Sequence, residues 1–568
     1  MNTRKLIYTA IILALSTACS NSFLDLKPKG VLLPEQLNTP NGVNALLISA
    51  YSLLDGVGAG NTVYHSSADN WVYGSVASDD AYKGTTAGDQ PAISFIEVYK
   101  ILPDNDYFRG KWRAVYDGIA RTNDVLQTLA KTEGIGDEDR TRITAECRFL
   151  RAHYHFEAKK MWNKVPYIDE KTYNPEDPES TKVPNTEDIW PKIVEDLQFA
   201  YQNLPHRQSQ PGRITKWAAA ALLAKAYLFQ HKFTEAKTLL DLIMTQGGYR
   251  LVDRYADNFR AATNNNPESI LEVQHSVNDG APGGQNGNEG VTLNYPYGGP
   301  TNCCGFFQPS QNLVNAFKTN NGLPMLDNFN DADVSNDQGI ESNAPFTPYA
   351  GALDPRLDWT IGRRGIPYLD HGLHPGKAWI RDQSYAGPYS PKKHMFYKSD
   401  LGNATSTNNP RQNANNYRMI RYSHVILWLA ECEAEVGSLE RARELVNMIR
   451  QRAANPDGFV KMPDGTNAAN YSISLYTTPW ADKATALKAI RFEDRLEFAM
   501  EGHRFFDLVR WGIAKDVLNA YVAKEKLKRT YYNEAVFGDN NIYYPIPLQE
   551  IVNSSKNGQP TLTQNPGY

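Results

Sequence analysis

The chain has 568 residues, of which 41% are hydrophobic and 21% charged, a globular rather than disordered composition with enough length for a large core. Lys and Arg number 59 against 63 Asp and Glu, a net charge of −4. That balance, with no long basic run, argues against a nucleic-acid partner.

Arg4 and Lys5 precede an apolar stretch, "LIYTAIILALSTA", that ends at Cys19. A basic start and a short apolar run closed by small residues predict a secretory signal peptide over residues 1–18. The run is too short for a membrane-spanning helix, which needs ~20 residues. "LSTAC" resembles a bacterial lipobox, in which Cys19 would be acylated and become the mature N-terminus; Leu15 lies four positions before the cysteine where the pattern has three. Ordinary signal cleavage nearby is the alternative. Without residues 1–18 the balance becomes 57 cations against 63 acids. Export permits disulfides, but Cys147 and Cys432 stand among apolar neighbours in helical patterns and read as buried thiols.

Residues 19–254 are mostly helical by pattern. "WRAVYDGIARTNDVLQTLA" (112–130) sets Val115, Ile119, Val125, Leu126 and Leu129 on one stripe. A polar turn, "KTEGIGDED", separates it from a second helix over 144–162. A third opens near Asn185 or Thr186 as N-cap. "WAAAALLAKAYLFQHKFTEAKTLLDLIMTQGGY" predicts two helices joined at "HKF" and stopped by Gly247-Gly248. Leu223-Ala224, Tyr227 and Ala236 have the spacing of a tetratricopeptide hairpin. In the C-terminal region, 421–568, "VILWLAECEAEVGSLERARELVNMIRQRA" repeats the pattern, with Glu433 in the place of Tyr227. Mainly α architecture follows, a helical-hairpin scaffold of tetratricopeptide type.

Between 255 and 420 helical periodicity is lost. "NDGAPGGQNGNEG" and "NATSTNNPRQNANN" are Gly/Asn-rich, and aromatic-bearing segments lie between them. Loops of this size in a compact protein are usually functional, so this region is expected to carry specificity.

No H-E-x-x-H, G-x-S-x-G or complete phosphate-binding loop is present. "DADVSNDQGIE" (331–341) has the oxygen ligands of a structural calcium loop but not its Gly and terminal Glu spacing, and is read as a loop; no cofactor is expected. Asp79 and Asp80 would point apart on any regular element and make a poor acid/base pair. In "AIRFEDRLEFAMEGHRFF", Glu493, Glu497 and Glu501 recur at i, i+4 and i+8 beside Phe492, Leu496 and Ala499. Arg491, Arg495 and Arg504 supply matching charge. This predicts a salt-bridged helix face; His503 and Asp507 alone make a weak metal site.

That same stretch resembles the C-terminal signature of the SusD/RagB family, nutrient-capturing surface lipoproteins of Bacteroidetes. The resemblance runs along the chain through "CSNSFLDLKPKG", "VASDDAYKG", "AECRFLRAHYHFEAKKMWNKVPYI", "LDPRLDWTI", "RYSHVILWLAECEAEVG" and "YYPIPLQEIVNSSKNGQPTLTQNPGY". It implies a non-enzymatic protein, a helical scaffold with an irregular ligand-binding subdomain. It further implies an outer-membrane location and a TonB-dependent transporter of SusC type as partner.

An oligosaccharide receptor needs exposed aromatic platforms with a few fixed polar groups. "SSADNWVYGS" offers Trp71 beside Asp69 and Asn70 on what reads as an exposed loop. "NYPYGGPTNCCGFFQP" offers Tyr295, Tyr297, Phe306 and Phe307, and "GRRGIPYLDHGLHPGKAW" adds Arg363, Arg364 and Tyr368. Similar proteins use the first two regions. Cys303 and Cys304 have Cα atoms ~3.8 Å apart, below the usual range for a bridged pair; a vicinal disulfide forming an apolar knob is preferred over two free thiols. A surface peptide-binding lipoprotein is the alternative function, and a glycan-cleaving enzyme lacks any evident carboxylate pair.

Overall fold

The computed structural model describes residues 37–58, 63–281 and 285–568; the predicted signal peptide and Cys19 lie outside these. The longer helices are α1 (Pro40–Ser52), α2 (Asp106–Lys131), α3 (Asp137–Trp162), α4 (Trp190–Asn203), α5 (Lys216–Leu228), α6 (Phe233–Gln246), α7 (Tyr422–Val436), α8 (Leu439–Ala453) and α9 (Lys483–Phe498), followed by the short α10 (Arg504–Arg510). The strands used below are β1 (Ala81–Gly84), β2 (Ser269–Val273), β3 (Phe306–Pro309) and β4 (Tyr417–Arg421).

The helices stack in one series: α1 on α2, α2 on α3, and so on through α6, which packs on α7. The two tetratricopeptide-like hairpins, α5–α6 and α7–α8, are therefore neighbours in space although the chain between α6 and α7 is long. Ala219, Ala220, Ala221 and Ala224 of α5 are fully buried, small enough to let adjacent helices close up. The α2 stripe of Val115, Ile119, Val125, Leu126 and Leu129 is buried as its periodicity predicts. Caps mark several starts: the Thr215 hydroxyl accepts from the Ala218 N–H at 3.3 Å and Asp482 from Thr485 at 2.8 Å, satisfying amides with no helical partner. Cys147 and Cys432 are buried free thiols. Among the described residues no helix is long and apolar enough to cross a membrane.

Two boundaries differ from the sequence reading. Helix α3 begins at Asp137, within the polar turn, because Asp137, Glu138 and Asp139 suit a helix N-terminus. Helix α4 begins at Trp190 after Ile189. Asn185 is instead buried, its amide donating to the carbonyls of Lys164 and Thr563 and tying the C-terminal tail down.

The loop-rich segment leaves and re-enters the scaffold at one neck, where β2 pairs antiparallel with β4, Glu272 opposite Arg418. A second tie is β1 with β3, Tyr82 opposite Gln308. This joins the "VASDDAYKG" segment (76–84) to the strand that follows Cys303-Cys304.

The Glu-rich stretch is not one continuous helix. Helix α9 ends at Phe498; Met500 and Gly502 have φ of 64° and 78°, so Glu501 sits in a turn. A Cβ on Gly502 would lie 1.6 Å from the Asp69 carbonyl oxygen, so only glycine fits there. Glu501 nevertheless meets the same buried charges as its helical neighbours. Arg421 bonds Glu268, Glu497 and Glu501, and Arg452 bonds Glu268 and Glu497. Arg356 reaches Asp354, Glu493 and Glu497, Arg450 reaches Glu493, and Lys393 reaches Glu501 at 2.7 Å. Five cations thus face five carboxylates in a region closed to water. The expected partners were wrong: Arg495 and Arg504 instead hold Asp79, and Arg495 holds Asp80 at 3.0 Å. Burial alone would raise Asp79, but Arg495 and Arg504 outweigh it and hold the carboxyl down at about 2. The structural reading of Glu501 fits this network, whereas His503 stands outside it, its ring edge-on to His424 at 4.9 Å and Phe498 at 6.1 Å.

Candidate functional site

Beneath the loop that carries the disulfide lies an apolar layer, and most of the aromatic residues expected to meet ligand belong to it. Trp71 begins a π-helical turn, Trp71–Val76, and is fully buried. Its indole N–H donates to the Gly290 carbonyl at 3.2 Å, and its ring meets Phe306 edge-on at 6.3 Å and Phe307 at 5.6 Å. The exposed loop expected around it is not found: a Cβ at Gly74 would lie 1.8 Å from the Gly502 carbonyl oxygen, and the Ser75 hydroxyl accepts the Gly502 N–H at 3.2 Å, so Gly74 and Ser75 serve close packing against that turn. Asp69 and Asn70 are buried as well. Asp69 accepts from the Ser67 hydroxyl at 2.6 Å and faces His394 at 3.4 Å, and the Asn70 amide donates to Glu157 at 3.1 Å. None of the three offers a surface to a ligand in this structure.

Tyr295, Tyr368 and Phe306 are likewise buried. Tyr295 and Tyr368 form a small core with Met395 and Phe396, flanked by Trp379. The Tyr295 hydroxyl donates to the Arg411 carbonyl at 3.0 Å and accepts from the Asn413 amide at 2.7 Å, while Tyr368 donates to the Pro391 carbonyl. Arg364 is spent on the carbonyls of Ser342 and Ala344, at 2.9 and 2.6 Å, and Arg363 on Asp358 at 2.6 Å. In the oxygen-rich 331–341 loop, Asp333 meets Lys528 and Asn315, and Asp337 meets the Gln383 amide at 3.3 Å.

What reaches solvent is Tyr297, 40% exposed, and the half-buried Cys303–Cys304 pair, which is a vicinal disulfide across a cis peptide bond. The loop is pinned from several sides. Backbone N–H groups of Gly305 and Tyr297 donate to the carbonyls of Tyr295 and Trp379, at 2.8 and 3.1 Å. A Cβ at Gly298 would sit 2.1 Å from the Ala378 carbonyl oxygen, so that close approach demands glycine. The Arg411 guanidinium lies against both sulfurs, at 3.0 and 3.1 Å, and donates to the Thr292 carbonyl at 3.1 Å.

Arg381, which the sequence reading did not single out, completes the surface. Its guanidinium carbon stands 5.0 Å from the centre of the Tyr297 ring, within cation–π range, and its nitrogen donates to Thr85 and Asp89 at 2.8 and 2.6 Å. The 83–90 turn is in turn wrapped around the Lys83 ammonium, which donates to the carbonyls of Thr86 and Asp89 at 2.8 and 2.7 Å. Burial lowers Lys83 to about 8, with Glu97 and Asp89 pulling the other way. The only sequence signal for Arg381 was its place between Trp379 and Tyr385, a spacing shared by many structural arginines. The result is an exposed phenol ring with a fixed guanidinium and carboxylate beside it, next to an apolar disulfide. Such a surface suits a ligand with flat C–H faces and hydroxyl groups.

A stack of helical hairpins with an irregular subdomain looped out between two of them, presenting a rigid aromatic surface, defines a scaffold-and-loop binding protein. The SusD family model matches residues 267–568, and a second model, described as starch-binding associating with outer membrane, matches residues 22–228; the chain belongs to the SusD/RagB family. The SusD-like protein P25 of Formosa agariphila is 24% identical, the alignment covering 95% of both chains. A surface glycan-binding protein A from Bacteroides thetaiotaomicron, solved in complex with laminarihexaose, superposes with a TM-score of 0.67 at 22% identity over 93% of this chain and 99% of that one. A laminarin-binding SusD-like protein gives a TM-score of 0.61 at 24% identity over 93% and 100%. These last two likenesses establish the fold.

Proposed function

We propose that the protein is a non-catalytic surface receptor for an oligosaccharide, anchored to the outer membrane through an acylated Cys19. It delivers its ligand to a TonB-dependent transporter of SusC type. The observation that carries the binding reading is the Tyr297–Arg381 platform beside the Cys303–Cys304 disulfide, rigidly held and open to solvent. Stacking of a sugar face on Tyr297 costs little side-chain entropy; Arg381 and Asp89 address its hydroxyls. Two structural relatives that bind laminarin or its hexasaccharide support the ligand class, and the outer-membrane wording of the N-terminal family model supports the location. The domain division follows the same reading: 19–254 and 421–568 as scaffold, 255–420 as the ligand-binding insertion.

The test is a glycan array followed by calorimetry and by product analysis after long incubation. Binding of a defined glycan, returned intact and weakened by Tyr297→Ala, is expected. Binding of peptides but of no glycan would overturn the reading, and shortened products would make the protein an enzyme.

A further inference from the structure

A groove of about 630 Å³ opens on the helical side, away from the disulfide loop, between the α4–α5 connection, the end of α6 and the segment entering β2. Its size lies within the range of small-ligand sites, ~300–1,000 Å³. At its floor Trp217 is 3% exposed, and its indole N–H has no hydrogen-bond acceptor among the described residues; His206 stands edge-on to that ring at 5.1 Å. Half-buried Tyr249 supplies apolar surface on one wall, its hydroxyl paired with Thr215.

Five amide side chains, Gln208, Gln210, Gln246, Asn265 and Asn266, stand in the polar lining. The Gln208 amide nitrogen donates to the Ile214 carbonyl at 2.8 Å, which fixes the group while its oxygen takes no donor among the described residues. Gln246 is exposed at the rim. Glu272 at the far wall is already matched by Arg418 and Asn416, at 3.2 and 2.8 Å, whereas exposed Arg207 makes no ion pair among the described residues. An amide both donates and accepts, as a sugar hydroxyl does. Amides of which Gln208 is held in place, with an aromatic ring and a guanidinium that makes no ion pair among the described residues, therefore recognise a polyol better than a peptide or an apolar ligand.

We infer that this groove is a second saccharide-binding subsite, separate from the Tyr297 platform, in which Tyr249 packs on the sugar and Trp217, Gln208, Gln246 and Arg207 bond its hydroxyls. The inference rests on the reading that the protein binds glycan. The two sites are joined by one short segment: Arg411 touches the disulfide, Asn413 bonds Tyr295, and Asn416 bonds Glu272 of the groove.

The test uses the full chain labelled with 5-fluorotryptophan, the Trp217 ¹⁹F resonance being assigned with Trp217→Phe. Hexasaccharides of glucose, fructose, xylose and galacturonate are titrated into the wild type and into a Tyr297→Ala/Arg381→Ala double variant, with calorimetry alongside. At least one sugar is expected to move the Trp217 resonance in both proteins. Arg207→Ala/Gln246→Ala should weaken that response at least tenfold with an unchanged melting temperature. If a sugar binds the Tyr297 platform by calorimetry yet leaves Trp217 unmoved at saturation, the second subsite is wrong and the first stands. The second subsite is equally wrong if the Trp217 response vanishes in the Tyr297→Ala/Arg381→Ala protein or survives Arg207→Ala/Gln246→Ala intact. No binding anywhere overturns both readings.

Discussion

Trp71 lies edge-on to Phe306, ring centres 6.3 Å apart, directly beneath the strand that follows Cys303-Cys304. The two segments expected to form the ligand surface do meet, but through their buried sides. Truncating a large buried aromatic typically costs ~3–5 kcal/mol, so Trp71→Ala should lower the unfolding free energy by about that much in urea titration. A Trp71→Ala protein with wild-type stability and weakened glycan binding would return Trp71 to the ligand surface.

Tyr297→Ala should behave in the opposite way. The ring is partly exposed and its removal leaves no cavity, so stability should change by less than ~0.5 kcal/mol. A central aromatic anchor is worth ~2 kcal/mol or more, over tenfold in affinity. Arg381→Ala should weaken binding too, because it removes both the cation over the Tyr297 ring and the contacts that hold Thr85 and Asp89. Calorimetry with thermal melts on each variant checks the pair; unaltered affinity in both would move the site elsewhere.

The helices were legible because their apolar spacing is a local property: the α2 stripe and both tetratricopeptide-like hairpins are buried as their periodicity requires. The site was legible only as a region. Whether Trp71 faces water depends on Gly290, Phe306 and Gly502, all distant in sequence, and Gly and Ser around it signal close backbone approach as well as exposed loops. The charge partners of Glu497 were misread for a related reason. Neighbouring arginines at helical spacing are the obvious candidates, whereas the actual partners, Arg356, Arg421 and Arg452, come from other parts of the fold. For Arg381 the one local signal, its place between Trp379 and Tyr385, is shared by many structural arginines and singles out nothing.

That buried network makes its own prediction. Glu497 accepts from three arginines, none with access to water, and their charge holds its carboxyl well below the usual range although burial opposes them. Glu497→Gln would leave those cations one charge short. Breaking a buried pair in this manner costs ~3–5 kcal/mol, and urea titration should show a loss of that size with the helical signal retained at zero denaturant. A loss under ~1 kcal/mol would mean the cluster is hydrated in solution.

Acid sensitivity should begin well above the carboxylate range, and His155 shows why. It is fully buried in α3; its Nε2 accepts the Ile168 N–H at 3.1 Å, which leaves Nδ1–H to donate to the Arg151 carbonyl at 3.0 Å. The neutral ring is thus fully used, and protonation would break the bond from Ile168. Burial, helped by the Arg151 charge, lowers the ring from 6.5 to about 3. Between those values the unfolded chain binds a proton that the folded chain does not, so stability rises with pH across that window and is lost as pH falls below 6.5. Each such histidine contributes ~1.4 kcal/mol per pH unit there. Asp55 and Glu97, both raised by burial to about 7, work in the opposite direction, so the total slope alone does not isolate His155. His155→Gln does: it should be less stable than wild type at pH 7.5, and the gap should close by ~1.4 kcal/mol per unit below pH 6.5. Urea midpoints of the two proteins at pH 7.5, 6.5, 5.5 and 5.0 measure that gap, and a constant difference across the series would show that His155 titrates alike in both states.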